Sequence, residues 1–398
     1  MRVVVHDYSG HPFQVQLSRE LARRGHEVLH LHCESFVTGK GALGRQPTDP
    51  PTFEIEPISL GQTFEKYSYG KRFSQERRYG RQLAARVRAY RPDVILSSNT
   101  PLFAQRVFQR DLKHSTPFVF WQQDVYSVAM GDNARKRIPV VGGILAKMFE
   151  RLERKELLDS DRVVVISADF LPILQRWGID RSRVAVIENW APMSEIEPGP
   201  RDNDWSREHR LEGSVVFLYA GTLGLKHNPD LLLQLAMRGA ETPDENIRVV
   251  VISEGLGADW LAERKKALGL DNLVLLAFQP YERLSSVLAS ADVLVAILEP
   301  EAGVFSVPSK VLTYHCAGRP ILGAIPPENL AARIIEREES GLVTDPGDVH
   351  AFVKAAGRLL DDAELRTEMG VHARQYAEKT FAIDRIGNEF ETILQSLL

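Results

Sequence analysis

The stretch Ala291-Asp-Val-Leu-Val-Ala-Ile-Leu298, followed at once by Glu299-Pro-Glu301, gives the clearest indication of the fold. A continuous apolar run of this length is typical of a parallel strand that is buried on both faces of a sheet. In open parallel sheets, ligands bind just beyond the carboxyl ends of the strands. Glu301 therefore stands where a ligand would bind, although a solvated surface glutamate is an equally good interpretation of this residue alone.

The segment Val307-Pro-Ser-Lys310 indicates the start of a helix that runs from Lys310 to Ala317. Proline and serine are typical of the first turn of a helix. The free backbone N–H groups and the positive dipole end of such a helix attract an anion. The strand, the loop and the helix start together predict an anion-binding edge of a parallel sheet.

The same alternation of apolar runs and helical periods extends through the whole chain of 398 residues, a length that suits two domains. It predicts an α/β protein of two Rossmann-like halves, each a parallel sheet wrapped by helices, facing each other across a cleft. We place the first domain at 1–190, a linker rich in proline and acidic residues at 191–206, and the second domain at 207–382. The segment 383–398 has apolar residues at helical spacing and is expected to cross back to the first domain.

The composition excludes several classes of protein. A net charge of −4 argues against a nucleic-acid-binding protein that relies on bulk electrostatics. The two cysteines, Cys33 and Cys316, are far apart in the sequence and indicate neither a disulfide framework nor a metal site. No apolar run approaches the length that spans a bilayer, and the amino-terminus lacks a signal-peptide pattern. We expect a cytoplasmic protein, either soluble or peripheral to a membrane.

Two glycine-containing loops follow strands of the second domain. In Tyr219-Ala-Gly-Thr-Leu-Gly-Leu-Lys226, the glycines let the backbone approach a ligand and Lys226 can neutralise a diphosphate. Ser253-Glu-Gly-Leu-Gly257 follows the next strand. Each loop alone is also consistent with an ordinary strand-to-helix turn. Because the carboxyl ends of parallel strands share one edge, both loops are expected to converge there with Glu301 and Lys310.

These motifs resemble those of the GT-B glycosyltransferases of family 4, and the resemblance covers nearly the whole chain. Ile187-Glu-Asn-Trp190, Ala220–Pro229 and Val307–Lys310 are similar to the bacterial branch that builds O-antigen, capsule or colanic-acid repeats, including fucosamine-type transferases. The resemblance implies a retaining transferase with the GT-B fold. It also implies that the second domain holds the nucleotide sugar and that the first domain holds the acceptor.

The chain departs from the family signature of two glutamates separated by seven residues. Glu301 matches the first glutamate, but Ser309 stands at the second position, so the ribose hydroxyls must be held differently. Thr222 replaces the usual arginine of the glycine-rich turn. Lys226 matches the basic residue that clamps the diphosphate.

The resemblance also implies roles for individual residues, with Glu301, Asp124 and Lys226 as the catalytic set. Glu301 is expected at the hydroxyls of the donor sugar, and Lys226 at the diphosphate together with Lys310. Asp124 is expected to contact the transferred sugar or the acceptor, although an aspartate that caps a helix is the alternative. The backbone around Phe278-Gln279-Pro280 is expected to hold the base. The expected donor-binding residues are Ser9, Gly10, Gly221, Thr222, Lys226, Glu254, Gly255, Phe278, Gln279, Ser309 and Lys310.

Neither a metal nor a cofactor is expected besides the UDP-sugar, which is a substrate. Asp159-Ser-Asp161 resembles a metal-binding Asp-x-Asp motif, but it precedes a strand and is interpreted as a turn. Lys226, helix dipoles and backbone donors are expected to neutralise the leaving diphosphate. The segment His6-Asp-Tyr-Ser-Gly-His-Pro12 lacks the glycine pattern of dinucleotide dehydrogenases.

Two basic segments of the first domain indicate a membrane partner. Lys66–Arg91 contains nine lysines or arginines and one acid with aromatic residues between them, and Arg135–Phe149 joins a basic cluster to an apolar stripe. Such segments suit an anionic membrane surface and a lipid-linked sugar acceptor. The alternative is a solvated basic face on helices that pack into the core. Nucleic acid is not expected as a partner.

The sequence as a whole predicts a retaining glycosyltransferase that moves a hexose or N-acetylhexosamine from a UDP-sugar to a glycan acceptor linked to undecaprenyl diphosphate. In this family retention is usually explained by front-face attack, so no enzymic nucleophile is expected. Two alternatives stay open. One is a GT-B-fold sugar-nucleotide 2-epimerase, for which Asp124 and His6 give thin support. The other is a non-catalytic sugar-nucleotide-binding subunit that scaffolds a partner transferase.

Overall fold

The computed structural model divides the chain into two compact units, Met1–Asn189 with Ile383–Leu398 and Trp190–Ala382. Both are α/β structures built on a parallel sheet, as the sequence predicts. The description covers residues 1–35, 43–61, 69–112, 115–137, 139–224, 227–242, 246–298, 300, 303–305 and 307–398.

The first unit contains a seven-stranded sheet in which every neighbouring pair of strands is parallel. Its strands are β1 (Arg2–Asp7), β2 (Glu27–Cys33), β3 (Phe53–Ile58), β4 (Val94–Ser98), β5 (Phe118–Gln122), β6 (Arg162–Val165) and β7 (Val184–Val186). Its helices are α1 (Pro12–Arg23), α2 (Tyr69–Tyr90), α3 (Leu102–Leu112), α4 (Tyr126–Arg137), α5 (Pro139–Leu158), α6 (Leu171–Arg176) and α15 (Ile383–Gln395). The order β3-β2-β1-β4-β5-β6-β7 reverses direction between β1 and β4, where ligands of doubly wound sheets bind.

Strand β3 is not evident in the sequence. Its residues Phe53-Glu-Ile-Glu-Pro-Ile58 contain a proline, which lacks the N–H group that a central strand must donate. β3 pairs only with β2 and forms an edge of the sheet, where a proline is tolerated. The edge position therefore explains why the strand forms despite Pro57.

The second unit contains a six-stranded parallel sheet. Its strands are β8 (Val215–Ala220), β9 (Ile247–Ile252), β10 (Leu273–Leu276), β11 (Val293–Ile297), β12 (Ile321–Ala324) and β13 (Gly341–Thr344). Its helices are α7 (Asp204–Glu208), α8 (Asp230–Glu241), α9 (Leu256–Leu268), α10 (Leu284–Ala289), α11 (Ser309–Ala317), α12 (Leu330–Arg337), α13 (Val349–Asp361) and α14 (Ala363–Thr380). In the order β10-β9-β8-β11-β12-β13, the reversal lies between β8 and β11.

The core of the second unit explains why β8 and β11 occupy its centre. Phe217, Leu294 and Val295 have no exposed surface. At the reversal point β11 pairs with β8 through Val293 with Phe217 and Leu294 with Leu218. Burying such side chains contributes about 1.5–3 kcal/mol each. The apolar run 291–298 thus forms a central strand, and the loop after it starts at the reversal point.

The carboxyl-terminal helix α15 packs on the first unit. The Phe390 ring centroid lies 4.7 Å from that of Trp121 in β5. The Glu391 carboxylate accepts a hydrogen bond from Arg24 at 3.0 Å and lies 2.8 Å from Nε2 of His26. One apolar contact and one charged cluster therefore fasten the last helix to α1 and the sheet.

The segment 191–206, expected as a linker, lies wholly within the second unit. Its backbone is held by hydrogen bonds: Glu197 N donates to Ser285 Oγ at 3.3 Å, and Gly199 O accepts from Arg319 at 3.0 Å.

None of the helices in the described part of the chain combines the length and apolarity that crossing a bilayer requires.

Candidate functional site

Lys310 and Gly221 meet at the carboxyl edge of the second sheet, next to the reversal point. Lys310 lies in the first turn of α11, and its Nζ is 3.8 Å from the centroid of the Tyr219 ring in β8. Gly221 follows β8 with φ +134, and a Cβ on it would lie 3.1 Å from that Nζ. A larger residue would therefore be strained and would displace the ammonium group. The predicted convergence of Gly221 and Lys310 is confirmed.

Two tyrosines that the sequence argument missed hold this turn in place. The Tyr314 hydroxyl accepts from Ala220 N at 3.2 Å and lies 3.3 Å from Ala220 O. The Tyr219 hydroxyl donates to Thr222 O at 2.6 Å. Tyr314 stands one helical turn after Lys310, so both side chains lie on the same face of α11. This spacing is the one feature of the sequence that could have indicated that both face β8. The turn 220–222 is thus fixed by buried side chains.

The Lys310 ammonium has no counter-ion among the residues that the structure describes. Burial lowers the pKa of Lys310 to about 7, because a desolvated ammonium group is disfavoured. The Tyr219 ring face offsets part of this cost. An anion bound beside Nζ would favour the charged form again, so the site is electrostatically complementary to a phosphate group.

The loops after β8, β9 and β10 are linked to one another. Gly257 N donates to Leu223 O at 3.1 Å, and a Cβ on Gly257 would lie only 2.4 Å from that oxygen. Glu254 Oε1 accepts from Phe278 N at 3.4 Å. Gly255 precedes α9 with φ +100, which favours glycine. Gly221, Thr222, Glu254, Gly255 and Phe278 therefore belong to one continuous edge of the sheet.

Phe278 exposes its ring, whereas hydrogen bonds hold the side chain of its neighbour Gln279. The Gln279 side chain is engaged, because its Oε1 accepts from Trp205 Nε1 at 3.1 Å and its Nε2 donates to Ala277 O at 3.0 Å. The Phe278 ring is 49% exposed. An aromatic ring at this edge offers a stacking surface for a flat base.

Helix α11 begins at Ser309, as the sequence predicts, and Pro308 at its N-cap makes no side-chain capping hydrogen bond. Val311 N donates to Pro308 O at 3.1 Å, whereas the N–H groups of Ser309 and Lys310 have no partner among the described residues and can reach a ligand. Ser309 itself is exposed. The two residues expected to matter most, Glu301 and Lys226, lie outside the described residues.

In the first unit, the turn after β1 is organised by the buried carboxylate of Asp7. Ser9 N donates to Asp7 Oδ1 at 3.0 Å, Asn99 Nδ2 donates to it at 3.3 Å, and His11 N donates to Oδ2. Burial raises the pKa of Asp7 and these donors oppose the rise. Gly10 takes φ +75 in this turn. Ser9 and Gly10 are thus held in a defined turn at the carboxyl end of β1.

Asp124 lies in the turn between β5 and α4, which the buried Glu153 of α5 holds. Glu153 accepts from Gln122 Nε2 and Tyr126 N, both at 3.1 Å, and from Ser127 N at 2.9 Å. Burial raises the pKa of Glu153 to about 7. Glu153 therefore caps α4 and fixes the turn, a role that the sequence did not reveal. Asp124 and the donor-binding residues above lie in different units.

His6 is a core residue. Its Nδ1 lies 3.0 Å from Ser97 Oγ, and its Nε2 lies 2.9 Å from the Tyr79 hydroxyl. Burial lowers the pKa of His6 to about 3, so the imidazole is neutral at physiological pH. This placement removes His6 from the acid–base residues that an epimerase would need.

The Asp159–Asp161 motif forms a turn before β6. Asp159 Oδ2 accepts from Arg106 Nη1 and Asp161 Oδ2 accepts from Phe118 N, both at 2.7 Å. Across the ranges that the structure describes, no three His, Cys, Asp or Glu side chains are grouped so as to hold a metal ion.

Comparison with known families decides the identity of the two units. Residues 13–194 match the model of "Glycosyltransferase Family 4", and residues 201–376 match that of "Glycosyl transferases group 1". The chain therefore contains a family 4 and a group 1 glycosyltransferase domain, which together span most of its length. The O-antigen or fucosamine branch within that family stays a prediction.

Individual relatives of this glycosyltransferase are distant. D-inositol 3-phosphate glycosyltransferase of Corynebacterium urealyticum is 27% identical over 58% of this chain and 55% of its own length. "Probable glycosyltransferase WbjE" of Pseudomonas aeruginosa is 25% identical over 69% of this chain and 67% of its own length. The match thus spans about half the length of the inositol-phosphate relative.

Solved structures confirm the GT-B fold. Sucrose-phosphate synthase of Thermosynechococcus elongatus superposes with a TM-score of 0.74 at 16% identity, covering 100% of this chain and 99% of that one. HepE of Anabaena, solved in complex with UDP-glucose, superposes with a TM-score of 0.69 at 15% identity and covers both chains completely. WaaG, a glycosyltransferase of lipopolysaccharide biosynthesis, gives 0.67 at 14% identity over 98% of this chain and 99% of its own.

Proposed function

We propose that this protein is a retaining, metal-independent glycosyltransferase that moves a hexose or N-acetylhexosamine from a UDP-sugar to a glycan acceptor. The observation that carries the proposal is the partly buried Lys310, whose ammonium group lies beside the backbone of Gly221 without a described counter-ion. A diphosphate is the ligand that such an arrangement favours. The complexes of the structural neighbour HepE with UDP-glucose and with UDP support the choice of UDP.

In the proposed reaction the bond between the anomeric carbon and the diphosphate oxygen breaks, and a bond to the acceptor hydroxyl forms on the same face of the sugar. The acceptor proton passes to the departing diphosphate oxygen, so that UDP leaves. Lys310, Lys226 and the first turn of α11 would stabilise the growing negative charge. Glu301 would hold hydroxyls of the donor sugar, and Asp124 would contact the acceptor.

The donor assignment can be tested by thermal unfolding in the presence of UDP, GDP, ADP and their sugar conjugates, with and without EDTA. A ligand that binds only the folded state raises the melting temperature. We expect UDP and UDP-sugars to stabilise the protein equally with and without EDTA, and Lys310→Met to lose most of this shift. Lys354→Met, which removes an exposed lysine of α13, is the matched control. Stabilisation by GDP or ADP alone would contradict the choice of UDP, and the absence of any shift would contradict nucleotide-sugar binding.

We further propose that the acceptor is a sugar linked to undecaprenyl diphosphate, used in bacterial surface-polysaccharide synthesis, and that the first unit meets an anionic membrane surface. Val141, Ile144 and Met148 lie on one face of α5 and are 45%, 71% and 40% exposed. The exposed Lys147 and Arg151 flank this face. Apolar side chains bordered by cations suit the headgroup region of a membrane that contains anionic lipid.

The other basic segment contributes less charge than its composition indicates. Arg72 pairs with Glu76 and Arg86 pairs with Glu56, both at 2.7 Å. Lys66 lies outside the described residues. The membrane proposal therefore rests mainly on α5.

Co-sedimentation with lipid vesicles tests the membrane proposal. We expect binding to vesicles that contain phosphatidylglycerol, and little binding to pure phosphatidylcholine. Ile144→Glu should abolish binding, whereas Leu268→Glu, at a 50% exposed apolar residue of the second unit, should not. Equal losses in the two variants would contradict a role for α5. Transfer from labelled UDP-sugars to an undecaprenyl-diphosphate-linked sugar, followed by determination of the anomeric configuration, tests the acceptor and retention.

A further inference from the structure

A second charged cavity lies at the amino edge of the second sheet. Its volume is about 390 Å³, and Asp292 and Pro320, which immediately precede β11 and β12, line it. Gly221 and Lys310 lie at the carboxyl edge of the same sheet, beyond the other ends of these strands. The cavity is therefore separate from the proposed donor site.

Three arginines from two helical regions line this cavity: Arg319, Arg366 and Arg374. Arg319 follows α11, and its Nη2 donates to Gly199 O at 3.0 Å and to Ala289 O at 2.7 Å. Its Nε is buried and has no partner among the described residues. Burial lowers the pKa of Arg319, and the nearby carboxylate of Asp292 opposes this change.

Arg366 and Arg374 belong to α14 and have further donors to offer. Arg366 Nη1 donates to the carbonyl oxygens of Leu359 and Leu360 at 2.5 and 2.8 Å, and no described carboxylate pairs with it. Arg374 Nη1 donates to Cys316 O at 2.8 Å, while its Nε pairs with Glu378 at 2.7 Å. Backbone contacts thus orient both guanidinium groups and leave part of their hydrogen-bonding capacity unused.

The single carboxylate of the lining does not neutralise these arginines. Asp292 Oδ2 accepts from Arg201 Nε at 3.2 Å and from Val216 N at 2.8 Å, and its charge also favours the charged form of Arg319, so this one carboxylate is shared between two guanidinium groups. Ala363, the first residue of α14, also lines the cavity and adds the positive end of that helix. Gly318 adds the negative end of α11, but three guanidinium groups outweigh one helix terminus. The cavity therefore carries a net positive field.

We propose that this cavity binds a small phosphate-bearing anion of about the size of a sugar phosphate, held by Arg319, Arg366 and Arg374. The planar fork of a guanidinium group matches two phosphate oxygens at once, and three forks around one volume favour a dianion over a monoanion. The cavity volume also falls within the range of small-molecule sites. This site stands independently of the proposed donor site, because the two share no residue.

Calorimetric titration with glucose 6-phosphate tests the proposal, with glucose as the uncharged counterpart. We expect binding of glucose 6-phosphate and none of glucose. Thr367→Glu places a negative charge in the lining and should weaken binding about tenfold or more by repulsion, and Arg366→Gln should do the same because it removes a charged hydrogen-bond donor. Gln375→Glu, at an exposed residue of the same helix outside the lining, should bind as the native protein does.

Three results would overturn the proposal. The first is glucose 6-phosphate binding no more strongly than glucose. The second is an equal loss in Thr367→Glu and Gln375→Glu. The third is a loss in Lys310→Met with none in Thr367→Glu, which would place the phosphate at the other edge of the sheet. Melting temperatures of all variants identify any that fail to fold, and Arg366→Gln then serves as the independent check on Thr367→Glu.

Discussion

Binding of a nucleotide sugar is expected to take up a proton at Lys310. Burial lowers the pKa of Lys310 to about 7 in the unliganded protein, so at pH 8 only about a tenth of the molecules carry the ammonium ion. A diphosphate beside Nζ would favour the charged form and raise this pKa. At pH 8 we therefore expect uptake of about 0.9 proton per ligand bound, and at pH 6 about 0.1.

The same coupling sets the pH dependence of affinity. Above pH 7 each unit of pH should weaken binding about tenfold, because the protonated form becomes tenfold rarer, whereas below pH 7 affinity should change little. The unliganded protein should in turn gain stability as pH rises from about 7 toward 10.5, since the unfolded chain binds more protons in that window.

The measurement is isothermal titration calorimetry with UDP-glucose at pH 8 in buffers that differ in ionisation enthalpy. The dependence of the observed enthalpy on buffer enthalpy gives the number of protons taken up. UDP-glucose is suitable because both phosphates are esterified and neither titrates near neutrality. Lys310→Met should abolish the uptake, Lys354→Met should preserve it, and Lys310→Arg should bind without the loss of affinity above pH 7. Uptake near zero in the native protein, or equal uptake in Lys310→Met, would refute the reasoning.

The remaining predictions concern backbone strain and two buried acids. Gly221→Ala should cost about 1–3 kcal/mol of stability and weaken UDP binding. Gly213→Ala, at φ +69 with open space around it, should cost stability alone. Chemical unfolding measures the loss of stability, and titration with UDP measures the loss of binding. Because folding raises the pKa of Glu153 to about 7 from 4.5, its contribution to stability falls as pH rises through this window. The free energy of unfolding of Glu153→Gln, measured in urea relative to that of the native protein, should therefore increase by about 1–3 kcal/mol from pH 5 to pH 7.5. Glu156 is buried with neither carboxyl oxygen hydrogen-bonded among the described residues, so Glu156→Met should stabilise the protein by about 1–3 kcal/mol, and destabilisation would contradict the lack of a partner.

The alternation of strands and helices was predictable because parallel strands buried on both faces leave long apolar runs in the sequence. The run that becomes β11 is one example. β3 was not predicted, because an edge strand needs neither a continuous apolar run nor an N–H group at every residue. Its Pro57 argues against a strand when the sequence is considered alone. Sequence patterning therefore reveals central strands more readily than edge strands.

The candidate site was predictable in part. The start of α11 carries a local signal, Pro308 before Ser309 and Lys310, and the structure confirms this helix start. The partners of Lys310 carry no such signal, because Tyr219 reaches it only when β8 lies beside β11 in the sheet order. A tyrosine within an apolar strand is usually a core residue, and nothing in its neighbourhood marks it as part of a site.

The two ends of α11 differ in how well the sequence predicts the positive charge beside them. Its first turn contains Lys310, whose position follows from the helix start alone. Its last turn acquires positive charge from α14, where Arg374 donates to Cys316 O across 58 residues of sequence. No spacing rule connects these two residues, because helix packing and not helix periodicity brings them together. A phosphate site at a helix start can therefore be inferred from sequence, whereas one formed by arginines from packed helices emerges only from the tertiary structure.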